Sequence, residues 1–257
     1  MSAASTEWAN DLASWGIPQE ILDQAPTSPW IHPPALFTVP SEIALTLSHE
    51  LARETLVNGG SILDVGCGGG IAAFAVTPPA THAIGVDHQQ EMLTMFAANA
   101  EDRGVTHEEF LGDWPDVAPL VPNADVVTCH HVAYNVSNIE PFVSALNNHA
   151  SKRVIIEIPQ QHPLSVSSPL WKHFWDLDRP TNPTSGDLLT IIRDLGFAAQ
   201  MKDWESPLGR EIPFAQQVEF NRIRLCLPES RDQEVAEFLK THPPRPTRIL
   251  STIWWDK

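Results

Sequence analysis

Two groups of residues in this 257-residue chain are of the right types to do chemistry and stand at telling spacings. The first joins carboxylates to glycines. Asp64, Gly66, Gly68 and Gly70 fall within Ser61-Ile-Leu-Asp-Val-Gly-Cys-Gly-Gly-Gly-Ile71, and Asp87 closes His82-Ala-Ile-Gly-Val-Asp87. Glycine takes positive φ, and without a Cβ it lets backbone approach a ligand closely. A short apolar strand that breaks into glycines and resumes as an apolar run makes a nucleotide-binding corner. An acid about 20 residues further on, at the end of the next strand, can accept hydrogen bonds from ribose hydroxyls; Asp87 lies 21 residues after Gly66. The second group is His130, His131, Tyr134, Asn135, Glu157 and His162. These are proton-transfer and hydrogen-bonding side chains, and histidine is the side chain best matched to act as a base near neutral pH.

Apolar runs place both groups at strand ends. Residues 61–65, 82–87, 106–111, 124–131 and 153–159 read as strands one to five. In doubly wound sheets ligands bind outside the carboxyl ends of the strands, so His130, His131, Tyr134 and Asn135 should face the site. Side chains alternate along a strand, so one of the two adjacent histidines is expected at the reaction centre. Glu157 interrupts an apolar run, and a carboxylate there is costly unless paired or wet. It either accepts a structural bond or faces the substrate. Helices are expected over 41–58 with Ser41 as cap, 71–76, 88–103, 138–150, 170–177, 186–195 with Ser185 as cap, and 232–240. Residues 198–204 read as strand six and 248–255 as the last strand; 216–227 fit helix and strand equally.

The pattern Asp64-x-Gly66-x-Gly68-x-Gly70 resembles motif I of the class I S-adenosylmethionine (SAM) dependent methyltransferases. Two further landmarks follow in order on successive strands, Asp87 and the Gly112-Asp113-Trp114 turn after strand three. The resemblance is good over about residues 40–160 and loose elsewhere. It implies a Rossmann-like, doubly wound α/β fold with seven strands and an antiparallel last strand. A domain over 41–257 would carry an N-terminal arm or lid over 1–40 and a small insertion at about 163–185. It also implies a cofactor site at Asp64, Gly66, Cys67, Gly68, Gly70, Asp87, His88, Gly112, Asp113, Trp114 and His130, with S-adenosylhomocysteine as product. Trp114 is alternatively ordinary packing, and Asp87 alternatively or additionally a helix cap. On the acceptor side His131, Tyr134 and His162 are the catalytic candidates. Trp30, Asn135, Glu157, Trp171 and Trp175 are the substrate-binding candidates, the aromatics alternatively packing against the N-terminal segment.

Composition narrows the classes. The net charge is −16, with no basic cluster, which disfavours nucleic acid and anionic membrane surfaces. The three cysteines, Cys67, Cys129 and Cys226, form neither a disulfide framework nor a zinc pattern, so no metal is expected. The N-terminus lacks the features of a secretory signal, and no apolar run approaches the ~20 residues that span a bilayer; a cytoplasmic location is expected. The 23 prolines gather at both ends and after strand five, where ordered loops are expected. The partner expected is a small-molecule acceptor, methylated on oxygen or nitrogen, in a monomer or homodimer. Two other readings stand: a catalytically silent SAM-binding protein, and an NAD-linked oxidoreductase. The second is opposed by Ile71, which stands where G-x-G-x-x-G needs its third glycine.

Overall fold

Buried parallel strands read as nearly continuous apolar runs because both of their faces are covered. That is the character of β1 (Ser61–Val65), β2 (His82–Asp87) and β4 (Ala124–His130). The computed structural model describes residues 2–30, 39–207, 213–243, 245 and 247–257. Adding β3 (Thr106–Leu111), β5 (Ala150–Pro159), β6 (Gln200–Pro207) and β7 (Thr247–Asp256), the chain builds one seven-stranded sheet in the order β3-β2-β1-β4-β5-β7-β6. The first five strands pair in parallel, while β7 runs antiparallel to both β5 and β6. The fold expected from the sequence is therefore the fold observed. The order reverses between β1 and β4, which opens the crevice where such sheets take ligands.

Alternation along each strand divides the core into two layers. Ile62, Ala83, Val126 and Ile155 face α3 (Leu47–Thr55), α4 (Ile71–Ala75) and α5 (Gln90–Arg103). Leu63, Val65, Ile84, Val127, Ile156 and Ile253 face the other way. They meet α6 (Ile139–His149), α8 (Ser185–Asp194) and Trp8 of α1 (Ala3–Ser14). A third, satellite core joins α2 (Gln19–Leu22), α7 (Ser168–Trp175), α9 (Phe214–Arg224) and α10 (Asp232–Thr241).

Several element boundaries differ from the expectation for local reasons. Helix α3 begins at Leu47, not near Ser41, because Thr46 caps it. The Thr46 hydroxyl accepts from His49 N, and His49 Nδ1 accepts from Thr46 N at 3.1 Å. Helix α8 is capped by Thr184 with Asp187, not by Ser185. The ambiguous stretch 216–227 is mostly helical, within α9. Of the expected arm, residues 31–38 lie outside the described residues. No helix among the described residues is long and apolar enough to cross a membrane.

Candidate functional site

The glycine loop joins β1 to α4 and is tied down by backbone on one side and carboxylates on the other. Gly66 N and Cys67 N both donate to Val86 O on β2, at 2.8 and 3.0 Å. Gly66, Gly68 and Gly70 all take positive φ, at 74°, 51° and 92°. Two of these glycines are required by the protein's own packing. A Cβ on Gly66 would come within 2.3 Å of Val132, and one on Gly70 within 2.2 Å of Phe74. Asp64 is buried and accepts from Ala73 N in α4 at 3.3 Å. Burial, and then the nearby Asp87 charge, push its carboxyl up to about 7, against the opposing Ala73 bond. Cys67 is buried, and its thiol is raised by that burial.

Asp87 closes the loop from β2. Its Oδ2 accepts from Gly68 N at 3.0 Å and its Oδ1 from Gln89 N at 2.9 Å, so it caps the approach to α5 while holding the glycine turn. A carboxylate oxygen has a second lone-pair site, which leaves an acceptor position on each oxygen beside the bond it already takes. Next to it His88 is well exposed, with Nδ1 3.7 Å from Asp87 Oδ1. Gly112 N donates to Asp87 O at 3.0 Å, which locks the β3 turn to the end of β2. Asp113 beside it is exposed. Trp114 follows the packing reading. Its indole N–H donates to Phe142 O at 3.3 Å, and its ring meets His149 edge-on at 4.9 Å.

The ends of β4 and β5 carry a polar seam under the N-terminus of α3. His130 pairs with Glu157 across the sheet, Nδ1 to Oε1 being 3.8 Å. His131 comes to the same oxygen, its Nε2 at 3.5 Å. Both histidines therefore approach one carboxylate, contrary to the alternation expected. His131 lies just past the strand with φ 61°, and that left-handed residue swings its ring back. Its backbone N–H donates to Glu157 O at 2.7 Å. Glu157 Oε2 accepts from the Thr46 hydroxyl at 2.8 Å, so the buried carboxylate meets the positive end of the α3 dipole. Burial pushes its carboxyl up. The neighbouring His130 and His131 imidazoles and the Ser48 hydroxyl outweigh that, and the net direction is down. His130 stacks on His49 at 5.3 Å, and burial pushes it down to about 3 despite Glu157, so its ring is neutral. His49 is lowered by burial too. Ser48, Thr252 and Trp204 complete the seam through bonds of 2.8 and 3.0 Å.

Residues 62–152 match a family model described as a methyltransferase domain. Over 83 residues the chain is 30% identical to YcgJ, an uncharacterised methyltransferase of Bacillus subtilis, covering 32% of this chain and 33% of that one. The crystal structure of YcgJ has the same fold, with a TM-score of 0.52 at 19% identity over 82% of this chain and 97% of that one. The chain therefore resembles a methyltransferase domain over residues 62–152. It is also 34% identical over 88 residues to the ubiquinone biosynthesis O-methyltransferase of Photobacterium profundum, covering 34% of this chain and 37% of that one. These sequence matches span about a third of each curated relative's length.

Several residues that the sequence placed at the acceptor side have other partners. Tyr134 is buried; its hydroxyl donates to Pro159 O at 2.8 Å and reaches Gln160 O at 3.3 Å, and burial raises it further from ionisation. His162 stacks on Trp15 at 4.2 Å and meets Tyr134 edge-on at 5.2 Å, while its Nδ1 accepts from Leu164 N. Burial, and then the Arg179 charge, push His162 down to about 4. Both are struts between the strand ends and the N-terminal helices, since Trp8 stacks on Tyr134 at 5.6 Å. Trp171 and Trp175 belong to the satellite core, where the Trp175 indole donates to Leu225 O at 2.7 Å. They follow the packing reading, as Ile21 of the N-terminal segment lies in the same cluster. Trp30 is 56% exposed and joins none of the three cores, whereas Asn135 is exposed just past β4. The seam residues that sequence reasoning missed are Thr46, Ser48, His49 and Thr252. Their one visible signal was Thr46-x-x-His49, a capping pattern with His in place of the usual Glu. Among the described residues no cluster of His, Cys, Asp and Glu is arranged to hold a metal.

Proposed function

We propose that this protein transfers a methyl group from SAM to a small-molecule acceptor, on oxygen or nitrogen, held just past the ends of β4 and β5. The observation that carries the reading is the coupling of Asp87 Oδ2 to Gly68 N at 3.0 Å. It puts a carboxylate with spare acceptor sites against a left-handed glycine turn. In the proposed complex Asp87 accepts from the ribose hydroxyls, and the turn from Gly66 to Gly70 lies along the methionine part. Asp64 acts through the loop that it holds by Ala73 N. Gly112 and Asp113 frame the adenine. SAM, when bound, supplies an electrophilic sulfonium methyl group. The chain's own contribution is alignment, which can account for a large part of the rate in a displacement of this kind.

The name of the Photobacterium relative makes an oxygen acceptor the first to test. An NAD-linked reading is opposed by Ile71 and by the antiparallel β7, whereas the common dinucleotide sheet is parallel in the order 3-2-1-4-5-6. The test is calorimetric titration with SAM and with NAD, followed by incubation of methyl-labelled SAM with a metabolite extract. Binding of SAM and a labelled product are expected. NAD binding with no SAM binding would overturn the reading, and SAM binding without turnover would leave a silent binding protein.

A further inference from the structure

The seam at the ends of β4 and β5 is organised around one ring. His131 is the histidine of the seam with a substantially open side chain, 41% exposed against 11% for His130. A non-glycine residue at positive φ is uncommon and clusters at functional sites. Here it is held at both ends by the same residue, since the His131 backbone donates to Glu157 O and its Nε2 faces Glu157 Oε1. The nitrogen that faces a carboxylate carries the proton of a neutral imidazole, which leaves a lone pair on the other nitrogen.

We propose that His131 is the general base of the methyl transfer and Glu157 its positioning residue, so that the acceptor is a protic group, a hydroxyl or N–H that loses its proton as the new bond forms. This rests on the methyltransferase reading above. Nδ1 of His131 takes the acceptor's proton while the acceptor's oxygen or nitrogen lone pair bonds the methyl carbon. The carbon–sulfur bond breaks with its electron pair left on sulfur, which converts the sulfonium to a neutral thioether. The imidazolium so formed sits against the Glu157 carboxylate and returns its proton to water through its exposed edge. The groups facing it are Glu157 on β5, His130 on β4, His49 on α3 and Arg248 on β7, whose charge is coupled to Glu157. His130 cannot replace His131, because its ring is buried against His49 and, held down to about 3 by that burial, is too weak a base to take the acceptor's proton.

Two measurements test the proposal. The first is nitrogen-15 NMR of the histidine-labelled chain bound to S-adenosylhomocysteine. The His131 ring should carry its neutral-form proton on Nε2 in the wild type and lose that preference in Glu157→Leu. A proton on Nδ1, or no change in Glu157→Leu, would overturn the pairing. The second uses methyl-labelled SAM with a metabolite extract. His131→Asn tolerates the left-handed backbone but is too short to serve. It should lose roughly 10²–10⁴-fold in transfer rate, keep its SAM affinity, and lose the acid limb of the rate–pH profile. His131→Gln is the second variant should the first fold poorly, and Glu157→Gln should lose less than either. Unaltered rates and pH profiles in the His131 variants would overturn the base. No labelled product from the wild type would instead overturn the methyltransferase reading, and the NMR measurement would still decide the pairing.

Discussion

Replacing Asp87 by alanine should separate two roles that the structure gives to one carboxylate. Each oxygen accepts one backbone N–H, from Gly68 at 3.0 Å and Gln89 at 2.9 Å. Hydrogen bonds to a charged group contribute about 1.5–3 kcal/mol each. The residue is only 8% exposed, but Gln89 itself is open to water and can replace part of its bond. The free protein should therefore lose about 2–4 kcal/mol, and Tm should fall about 2–4 °C for each of these in a chain of this size. The ribose bonds proposed for the same oxygens add a second loss. Removing them should weaken SAM roughly 10–100-fold, at about 1.4 kcal/mol per tenfold. Differential scanning calorimetry reads the first effect and titration calorimetry with SAM the second. A folded Asp87→Ala protein that binds SAM within twofold of wild type would refute the ribose assignment, leaving Asp87 as a cap and loop tether.

Three further outcomes follow from the same geometry. Tyr134→Phe should lower stability by about 1–2 kcal/mol, because it strands the Pro159 carbonyl, and leave methyl transfer intact; lost transfer at unchanged Tm would restore Tyr134 to the reaction. His162 is held neutral, down to about 4 from 6.5. Its contribution to stability is fully present above 6.5 and is lost as pH falls from 6.5 through 4, with a size of about 2–3 kcal/mol. Urea unfolding of wild type and His162→Asn at pH 7.5 and 4.5 should show a smaller acid loss in the variant, and parallel losses would contradict the assignment. Gly66→Ala, at φ 74° with Val132 2.3 Å from the new Cβ, should cost about 1–3 kcal/mol. Adding Val132→Ala should recover part of it, and a fully additive double variant would show that strain, not contact, is responsible.

The strands and the glycine corner were legible because both are local. An apolar run with an acid at its end and three alternating glycines has few other uses. Boundaries set by a cap were less so, since Thr46 and Ser41 are equally good N-caps on paper. The choice falls to Thr46 because its hydroxyl also reaches Glu157, 111 residues away. Acceptor-side residues were the least legible. Position just past a strand end fits His131 and Tyr134 alike, yet one ring turns out and the other turns in onto Trp8. The aromatics of the insertion have the composition of a pocket wall and of a small core equally. Only the arrival of α9 and Ile21 over Trp171 decides for the core.

The position of β7 bears on how the chain is made. Among the described residues β6 has β7 as its only neighbour in the sheet, and β7 is synthesised last of the seven. When residue 207 leaves the ribosome, β6 has no strand to join and β5 still shows a bare edge. At about 5–20 residues per second, the stretch from 207 to 256 takes roughly 2–10 s to appear. Through that interval the edge of β5 stays unpaired and the seam lacks Thr252 and Trp204, so this is the period when a chaperone would matter most.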